Sequence, residues 1–294
     1  MNQKAIPYLL LTGFFFGSSL ISSRFALGQF SALTFVHLRL IVASICFFFI
    51  YTASRQRSWP KGLELWQHGF VLGIISTAVP MFSFVSALNY LSSGVTSIIN
   101  TTGPAVTVVM AHFLLQGESL TKRKIVGVLL AFSGAFMLAI RGETGLGEAA
   151  NAEPIGYIFV LVGLLSVSSS TIYVRRYAQE MDSFDLTSTQ IFLGVLILLP
   201  VVLLTGGWQM TNVNGLGVVA VGYGAIIGTV AAFWAFFYSV RRFGAIAGAM
   251  IPYVVPIAAT LGGALVLNEK ITVGTLVGMG IIGLGIAIIN SGER

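Results

Sequence analysis

Ten apolar segments, each of about 20 residues, run through almost the whole chain. A helix needs about 20 apolar residues to cross about 30 Å of hydrocarbon. None of the segments shows the alternating polarity of a transmembrane β-strand. The sequence therefore predicts an all-α polytopic membrane protein with ten transmembrane helices. The segments lie at residues 5–23, 32–53, 65–88, 94–115, 123–140, 154–174, 185–205, 215–238, 244–267 and 272–290.

The composition agrees with lipid as the main solvent of this chain. Of 294 residues, 56% are apolar and only 9% are charged, whereas soluble domains are about 25% charged. A net charge of +6 would suggest nucleic-acid binding in a soluble protein. Here the basic residues sit in short loops between the segments, where they set membrane topology, so no nucleic-acid partner is expected. The single cysteine, Cys46, excludes a disulfide framework.

A weak internal repeat with a period of about 151 residues divides the ten segments into two sets of five, as in many secondary transporters. Pro104 recurs as Pro256 after a one-residue slip. Because five is odd, the second copy is inverted relative to the first. The sequence predicts two inverted five-helix repeats, residues 1–140 and 154–294, joined by a polar linker at 141–153. Seven further correspondences link Ser18, Ser19, Arg24, Glu118, Thr121, Gly127 and Gly134 to Ser169, Ser170, Arg175, Glu269, Thr272, Gly278 and Gly285.

The distribution of positive charge orients the segments. Ten spans place both termini on one side, and that side carries twelve of the 16 Lys and Arg residues. Three lie on the opposite side, and Arg39 lies inside the second segment. Positive residues concentrate in cytoplasmic loops, so we expect both termini in the cytoplasm and the protein in the cytoplasmic (inner) membrane. The basic run 122–124 becomes Val273–Thr275 in the second copy, as inversion requires.

Short motifs in both copies carry a resemblance to a known family. They are Ala87–Tyr90, Gly94 to Pro104, Gly117–Thr121, Phe233 to Arg242, Gly244-Ala245, Pro256 and Leu267–Thr272, with the repeated glycines. With these motifs the chain resembles the drug/metabolite transporter superfamily, in its ten-helix EamA type. The resemblance implies two five-helix bundles around a central cavity, and export or uptake of small metabolites. Arg39 matches the family's usual arginine, but Gln190 stands at the equivalent place in the second copy.

Four prolines inside the segments mark expected helix kinks: Pro80, Pro104, Pro252 and Pro256. Proline removes a backbone donor and frees the carbonyl four residues earlier. In a membrane such groups are tolerated where they face a cavity or polar neighbours. Because segments four and nine are equivalent, their prolines indicate a transporter site. A purely structural bend is the alternative.

Polar and aromatic side chains on the same segments are the candidate substrate-binding residues. Rings with polar tips suit an amphipathic organic ligand, although Tyr and Trp near span ends also serve as interfacial anchors. The expected cavity-lining residues are Asn100, Trp234, Tyr253, Ser83 and Tyr223.

Arg39 is a further candidate because it lies about two turns inside its segment, where a charge costs several kcal/mol unless it is paired or faces water. It is expected to attract an anionic substrate group or to latch a gate. A snorkelling or structurally paired arginine is the alternative. His37 is two residues away and points elsewhere. Its imidazole either titrates near physiological pH or serves as a hydrogen-bonded interface residue.

The side chains that the apolar segments lack limit the functions that the protein can have. No Asp, Glu or Lys lies near the centre of an apolar segment, so the usual proton carrier of pumps is missing. An intramembrane catalytic triad would lack its acidic member. Phosphate loops and metal-ligand clusters are missing too. We therefore expect no catalytic residue, metal or cofactor, and the chain is predicted not to be an enzyme.

The sequence thus predicts a secondary transporter, working as an exporter, for small organic metabolites such as amino acids. It would act by alternating access, with the substrate and the lipid bilayer as its partners. Without a carboxylate we expect passive facilitation or exchange. A membrane-embedded enzyme and a non-transporting receptor or scaffold are the alternatives. Segments five and ten carry few polar residues, so they are placed at the periphery, with the Gly274–Gly285 stripe as a candidate homodimer surface.

Overall fold

In the part of the chain that the structure describes, ten helices are long and apolar enough to cross a membrane. The computed structural model describes residues 5–54, 57–115, 118–146, 153–243 and 245–291, and these ranges contain no β-strand. The all-α, ten-helix prediction is confirmed. The helices are α1 Ile6–Ala26, α2 Ala32–Ala53, α3 Leu63–Ala87, α4 Ser93–Leu114, α5 Lys122–Ile140, α6 Pro154–Tyr177, α7 Ser183–Leu204, α8 Gly215–Phe243, α9 Ala245–Leu267 and α10 Val273–Asn290.

The helix ends follow the sequence closely. The threonines of the repeated Glu-x-x-Thr motif, Thr121 and Thr272, accept hydrogen bonds from the backbone N–H groups of Lys124 and Thr275. They therefore cap α5 and α10, each satisfying one of the donors left open at a helix start. Helix α8 continues past the apolar segment to Phe243 because its last turn carries two arginines, which a helix C-terminus favours.

The repeated glycines form a tight seam between α5 and α10. A Cβ atom on Gly127 would lie 2.6 Å from the carbonyl oxygen of Gly285, and one on Gly278 would lie 2.7 Å from Leu138 Cδ2. Small residues let membrane helices approach this closely. The glycine stripe of α10 is thus covered by α5 of the same chain. A homodimer through these two helices would have to use their other faces.

The helix pairs follow a pattern that persists when the two halves are exchanged. The contact of α1 with α9 corresponds to the contact of α6 with α4 in the exchanged halves. The contact of α3 with α6 corresponds in the same way to the contact of α8 with α1. Helix α3 also contacts α7 as α8 contacts α2. Three pairs join equivalent helices directly: α2 with α7, α4 with α9, and α5 with α10. Two structurally equivalent halves would produce this pattern, whereas their inverted orientation stays a prediction.

Contacts between loops define the two ends of the bundle. The loops after α3 and α5 meet where the Ser92 N–H donates to the Thr144 carbonyl at 2.8 Å. The loops after α2 and α6 meet at the other end, where Arg57 and Asp182 form an ion pair at 3.1 Å. We name the end with the loops after odd-numbered helices the outer end, and the opposite end the inner end, following the charge-based orientation.

Two helices contain a π-helical turn at related positions. The turn spans Gly73–Ala78 in α3 and Ile226–Ala231 in α8. These are the third helix of each predicted half. A π-helical turn widens the helix by one residue, loosens the regular backbone pairing and is frequent at functional sites.

The four prolines fall in two different settings. Pro80 follows directly on the π-helical turn of α3, and Pro104 follows a turn at residues 101–102 that interrupts α4. Helix α9, in contrast, runs without interruption through Pro252 and Pro256. The two prolines of the first half therefore coincide with departures from α-helical geometry, a known cause of helix kinks.

Topology can be tested by cysteine labelling. In intact cells, cysteines at positions 2 and 293 are expected to resist a membrane-impermeant reagent, whereas a cysteine at position 148 in the linker is expected to react. The reason is the strong bias of positive charge toward the termini's side. All three positions lie outside the described residues. Efficient labelling of either terminus from outside would contradict the orientation and, with it, the inverted repeat.

Candidate functional site

A buried arginine occupies the junction of α1, α2 and α8. Arg39 of α2 is 8% exposed. Its Nε donates to Thr229 Oγ1 at 2.9 Å and its Nη2 donates to the Gly228 carbonyl at 3.1 Å. Its Nη1 lies 3.5 Å from Ser23 Oγ on α1. We call this group, Ser23, Arg39, Gly228 and Thr229, the Arg39 crevice.

The π-helical turn of α8 shapes the Arg39 crevice. Thr229 lies within this turn, and its hydroxyl donates to the Gly224 carbonyl at 2.9 Å while it accepts from Arg39. A Cβ atom on Gly224 would lie 3.4 Å from Arg39 Cδ, and one on Gly228 would overlap the hydroxyl of Ser19. The Gly224-x-x-x-Gly228 spacing therefore makes room for a guanidinium group and for α1.

Arg39 has no acidic partner within the described ranges. The ion pairs found there lie near the helix ends, and none includes Arg39. A guanidinium carries five N–H donors, and the three hydrogen bonds engage only three of them. Burying an unpaired charge costs several kcal/mol. An anion reaching this crevice would satisfy both the charge and the remaining donors.

Next to the Arg39 crevice, a row of polar contacts follows the interface of α1 and α8. The Tyr223 hydroxyl donates to Ser18 Oγ at 2.8 Å, and Ser22 Oγ donates to the Ala220 carbonyl at 2.8 Å. Of the residues selected from sequence, Arg39 and Tyr223 thus both lie at the interface of α1 and α8.

The other selected residues lie in different surroundings. Tyr253 of α9 packs beside the core formed by α4, α5 and α10, and its hydroxyl accepts from Asn290 Nδ2 at 3.1 Å. Trp234 is 57% exposed on α8 and stacks on Tyr238. Ser83 is buried in α3, and Asn100 is half-buried at the last turn before the break in α4. The described contacts do not join these four residues to Arg39.

Sequence reasoning missed three members of the Arg39 crevice. Thr229 is an isolated hydroxyl in an apolar stretch of α8, Ser23 is one of four serines in α1, and the third partner is a backbone carbonyl, that of Gly228. Pairing them with Arg39 requires knowing that α1, α2 and α8 meet. The available signal was the Gly224-x-x-x-Gly228 motif, which sequence analysis alone interprets as helix packing.

His37 is held by hydrogen bonds on both ring nitrogens. Nε2 pairs with the Val195 carbonyl at 3.2 Å, and Nδ1 pairs with Trp208 Nε1 at 3.1 Å. A carbonyl requires a donor and the indole N–H requires an acceptor. The two partners therefore select the neutral ring with its proton on Nε2. A protonated ring would lose the bond to Trp208, so the geometry favours the interface role for His37.

The fold describes a polytopic helical membrane protein of the transporter class, with a buried arginine and a row of polar contacts between its helices. The EamA-like transporter family model matches the chain twice, at residues 3–140 and 154–291. The chain belongs to this family, within the drug/metabolite transporter superfamily, and the expected resemblance is confirmed.

Relatives support the same class of protein. An uncharacterized transporter of Archaeoglobus fulgidus is 24% identical over 286 residues, which cover 96% of both chains. A chloroplastic WAT1-related protein of Arabidopsis thaliana is 25% identical over 289 residues, covering 95% of this chain and 68% of its own. A crystal structure of another protein superposes with a TM-score of 0.65 at 17% identity, covering 97% of this chain and 98% of that one. This last likeness concerns the fold alone.

Proposed function

We propose that this membrane transporter moves small organic metabolites that carry a carboxylate, such as amino acids, across the cytoplasmic membrane. The observation that supports this is the buried guanidinium of Arg39, which has unused donors and no acidic partner in the described part of the chain. Planar guanidinium groups bind carboxylates through two parallel hydrogen bonds. The Arg39 crevice supplies the positive charge, and two of the five guanidinium donors remain for such a bond.

Alternating access by two inverted halves is the proposed mode of action. The exchangeable pattern of helix pairs supports it, as do the π-helical turns in the third helix of each half. The proposed route passes Tyr223 near the crevice, and Asn100, Ser83, Trp234 and Tyr253 remain proposed lining residues. Export is the proposed direction, because the superfamily that the chain resembles includes amino-acid exporters.

Flux into proteoliposomes tests this function. The purified protein is reconstituted, and the uptake of labelled amino acids is compared with that of the matching decarboxylated amines. We expect saturable flux of at least one amino acid and none of its amine. Absence of flux across the whole panel would refute transport of this class. Equal flux of acid and amine would refute recognition by Arg39. Faster efflux from preloaded overexpressing cells would support export.

Passive transport is part of the same proposal. No apolar segment has a central carboxylate, and both nitrogens of His37 are engaged in a neutral ring. Flux is therefore expected to reach equilibrium without accumulation, at the same rate with or without a pH gradient. Replacing His37 with Gln is expected to spare downhill flux and to lower stability by about 1 kcal/mol through lost hydrogen bonds. Accumulation that is driven by a pH gradient and abolished in this variant would identify His37 as a proton carrier.

A further inference from the structure

The two Glu-x-x-Thr motifs engage different partners at the two ends of the bundle. At the outer end, Glu269 accepts hydrogen bonds from the Ser93 N–H at 2.9 Å, the Ser93 hydroxyl at 2.6 Å and the Gly94 N–H at 3.4 Å. These donors belong to the first turn of α4, where the helix dipole favours a negative charge. Glu269 thus fastens the end of α9 to the start of α4.

The equivalent glutamate at the inner end makes an ion pair instead. Glu118 contacts Arg175, at the end of α6, at 2.5 Å, and Lys124 at 3.6 Å. The hydrogen bond from Arg175 lowers the pKa of the Glu118 carboxyl, so this group stays ionised at neutral pH. The repeat pairs Arg175 with Arg24 at the outer end. Arg24 donates to the Leu88 carbonyl, and within the described ranges no ion pair joins it to Glu269.

Helices α4 and α9 diverge toward the inner end. Near the outer end they touch, since a Cβ atom on Gly94 would lie 2.9 Å from Thr260 Oγ1. Past its break, α4 packs against α6 instead, where Thr107 Oγ1 pairs with Ser168 Oγ at 3.0 Å. The first half of α9 packs against α1 and α8, through Ile251 among others. Near the outer end α4 and α9 are therefore in contact, whereas past the break in α4 the described contacts of α4 are with α6 and those of α9 are with α1 and α8.

We propose that Glu118 and Glu269 form one alternating seal. In each state, the glutamate at the closed end binds the first turn of the helix from the other half, and the glutamate at the open end pairs with an arginine. In the opposite state Glu118 leaves Arg175 for the first turn of α9, and Glu269 leaves α4 for Arg24. Both arrangements give each carboxylate charge-assisted hydrogen bonds, so neither carboxylate is left without a partner in either state. This inference rests on the proposed alternating access.

Accessibility of a single cysteine tests the seal without any substrate. In a Cys46→Ser background, Ser97→Cys places a thiol one turn deeper in α4 than Ser93, at a position that is 1% exposed. Arg175→Gln removes a partner used only when the inner end is open, and Ser93→Ala removes a hydroxyl that Glu269 uses only when the outer end is closed. Each is expected to raise labelling from outside by a membrane-impermeant maleimide about tenfold or more, the scale of one lost charge-assisted bond.

Arg57→Gln is the matched control, because it breaks an inner-end ion pair with Asp182 at 3.1 Å that belongs to neither motif. Its labelling is expected to equal that of the parent. Unchanged labelling in both Arg175→Gln and the outer-end variant, or an equal rise in Arg57→Gln, would overturn the seal. Flux in the parent protein is measured separately, so loss of the transport proposal and loss of the seal give different results.

Discussion

Replacing Arg39 with Gln is expected to lower the flux of carboxylate substrates about tenfold to a hundredfold. The guanidinium is buried and its charge is not neutralised by an acidic residue in the described part of the chain. A hydrogen bond to a charged group contributes about 1.5–3 kcal/mol, and about 1.4 kcal/mol corresponds to a factor of ten. The measurement is initial flux in proteoliposomes at substrate concentrations below saturation.

Two further variants separate recognition from folding. Arg39→Lys keeps the charge but loses the planar fork, so we expect intermediate flux. Arg39→Met removes an unpaired buried charge and is expected to preserve thermal stability while abolishing flux. Gln190→Leu changes the repeat-equivalent position, which is 7% exposed, and is expected to leave the preference for carboxylates unchanged. Normal flux in Arg39→Gln would show that Arg39 is structural and that the site lies elsewhere.

Most of the fold could be predicted from the sequence because lipid imposes simple rules. Segment length fixes the number of spans. The α5–α10 seam was only partly predictable: small residues such as Gly127 and Gly285 allow that close approach, but the sequence analysis expected the glycine stripe of α10 to contact a second copy of the chain. Thr121 and Thr272 cap helices at equivalent places, which explains why the threonine recurs. What was not predictable is the π-helical turn in α3 and α8, since no residue type specifies it.

The candidate site was only partly predictable, for a related reason. Arg39 stands out as a charge in an apolar helix, but its partners come from α1 and α8, nearly 200 residues away in the case of Thr229. Tyr223 and Trp234 of the same helix were both expected to line the cavity. The structure places the π-helical turn between them; Tyr223 contacts Ser18 of α1, whereas Trp234 stacks on Tyr238. Assigning residues to one face with a fixed helical period fails where a π-helical turn changes the number of residues per turn.

The close contact between α1 and α8 provides the second large expected effect. In Gly228→Ala, the new methyl group would lie 2.6 Å from Ser19 Cβ and would overlap the Ser19 hydroxyl. Either the helices separate or the backbone of the π-helical turn moves, and both displace the carbonyl that Arg39 contacts at 3.1 Å. Overpacking of this kind costs about 1–3 kcal/mol. We expect thermal stability to fall by that amount and flux to fall at least about tenfold, the factor for about 1.4 kcal/mol.

Gly222 of the same helix is the matched control, because a Cβ atom there would meet nothing within 4 Å. Gly222→Ala is expected to leave flux unchanged and to stabilise α8 by about 0.5–1 kcal/mol, the difference in helix propensity. Adding Ser19→Gly to Gly228→Ala removes the obstructing side chain and should restore flux. Rescue would show that the defect is steric and local to the α1–α8 contact. If Gly228→Ala and Gly222→Ala behave alike, the crevice tolerates separation of these helices, and the distances around Arg39 do not limit transport.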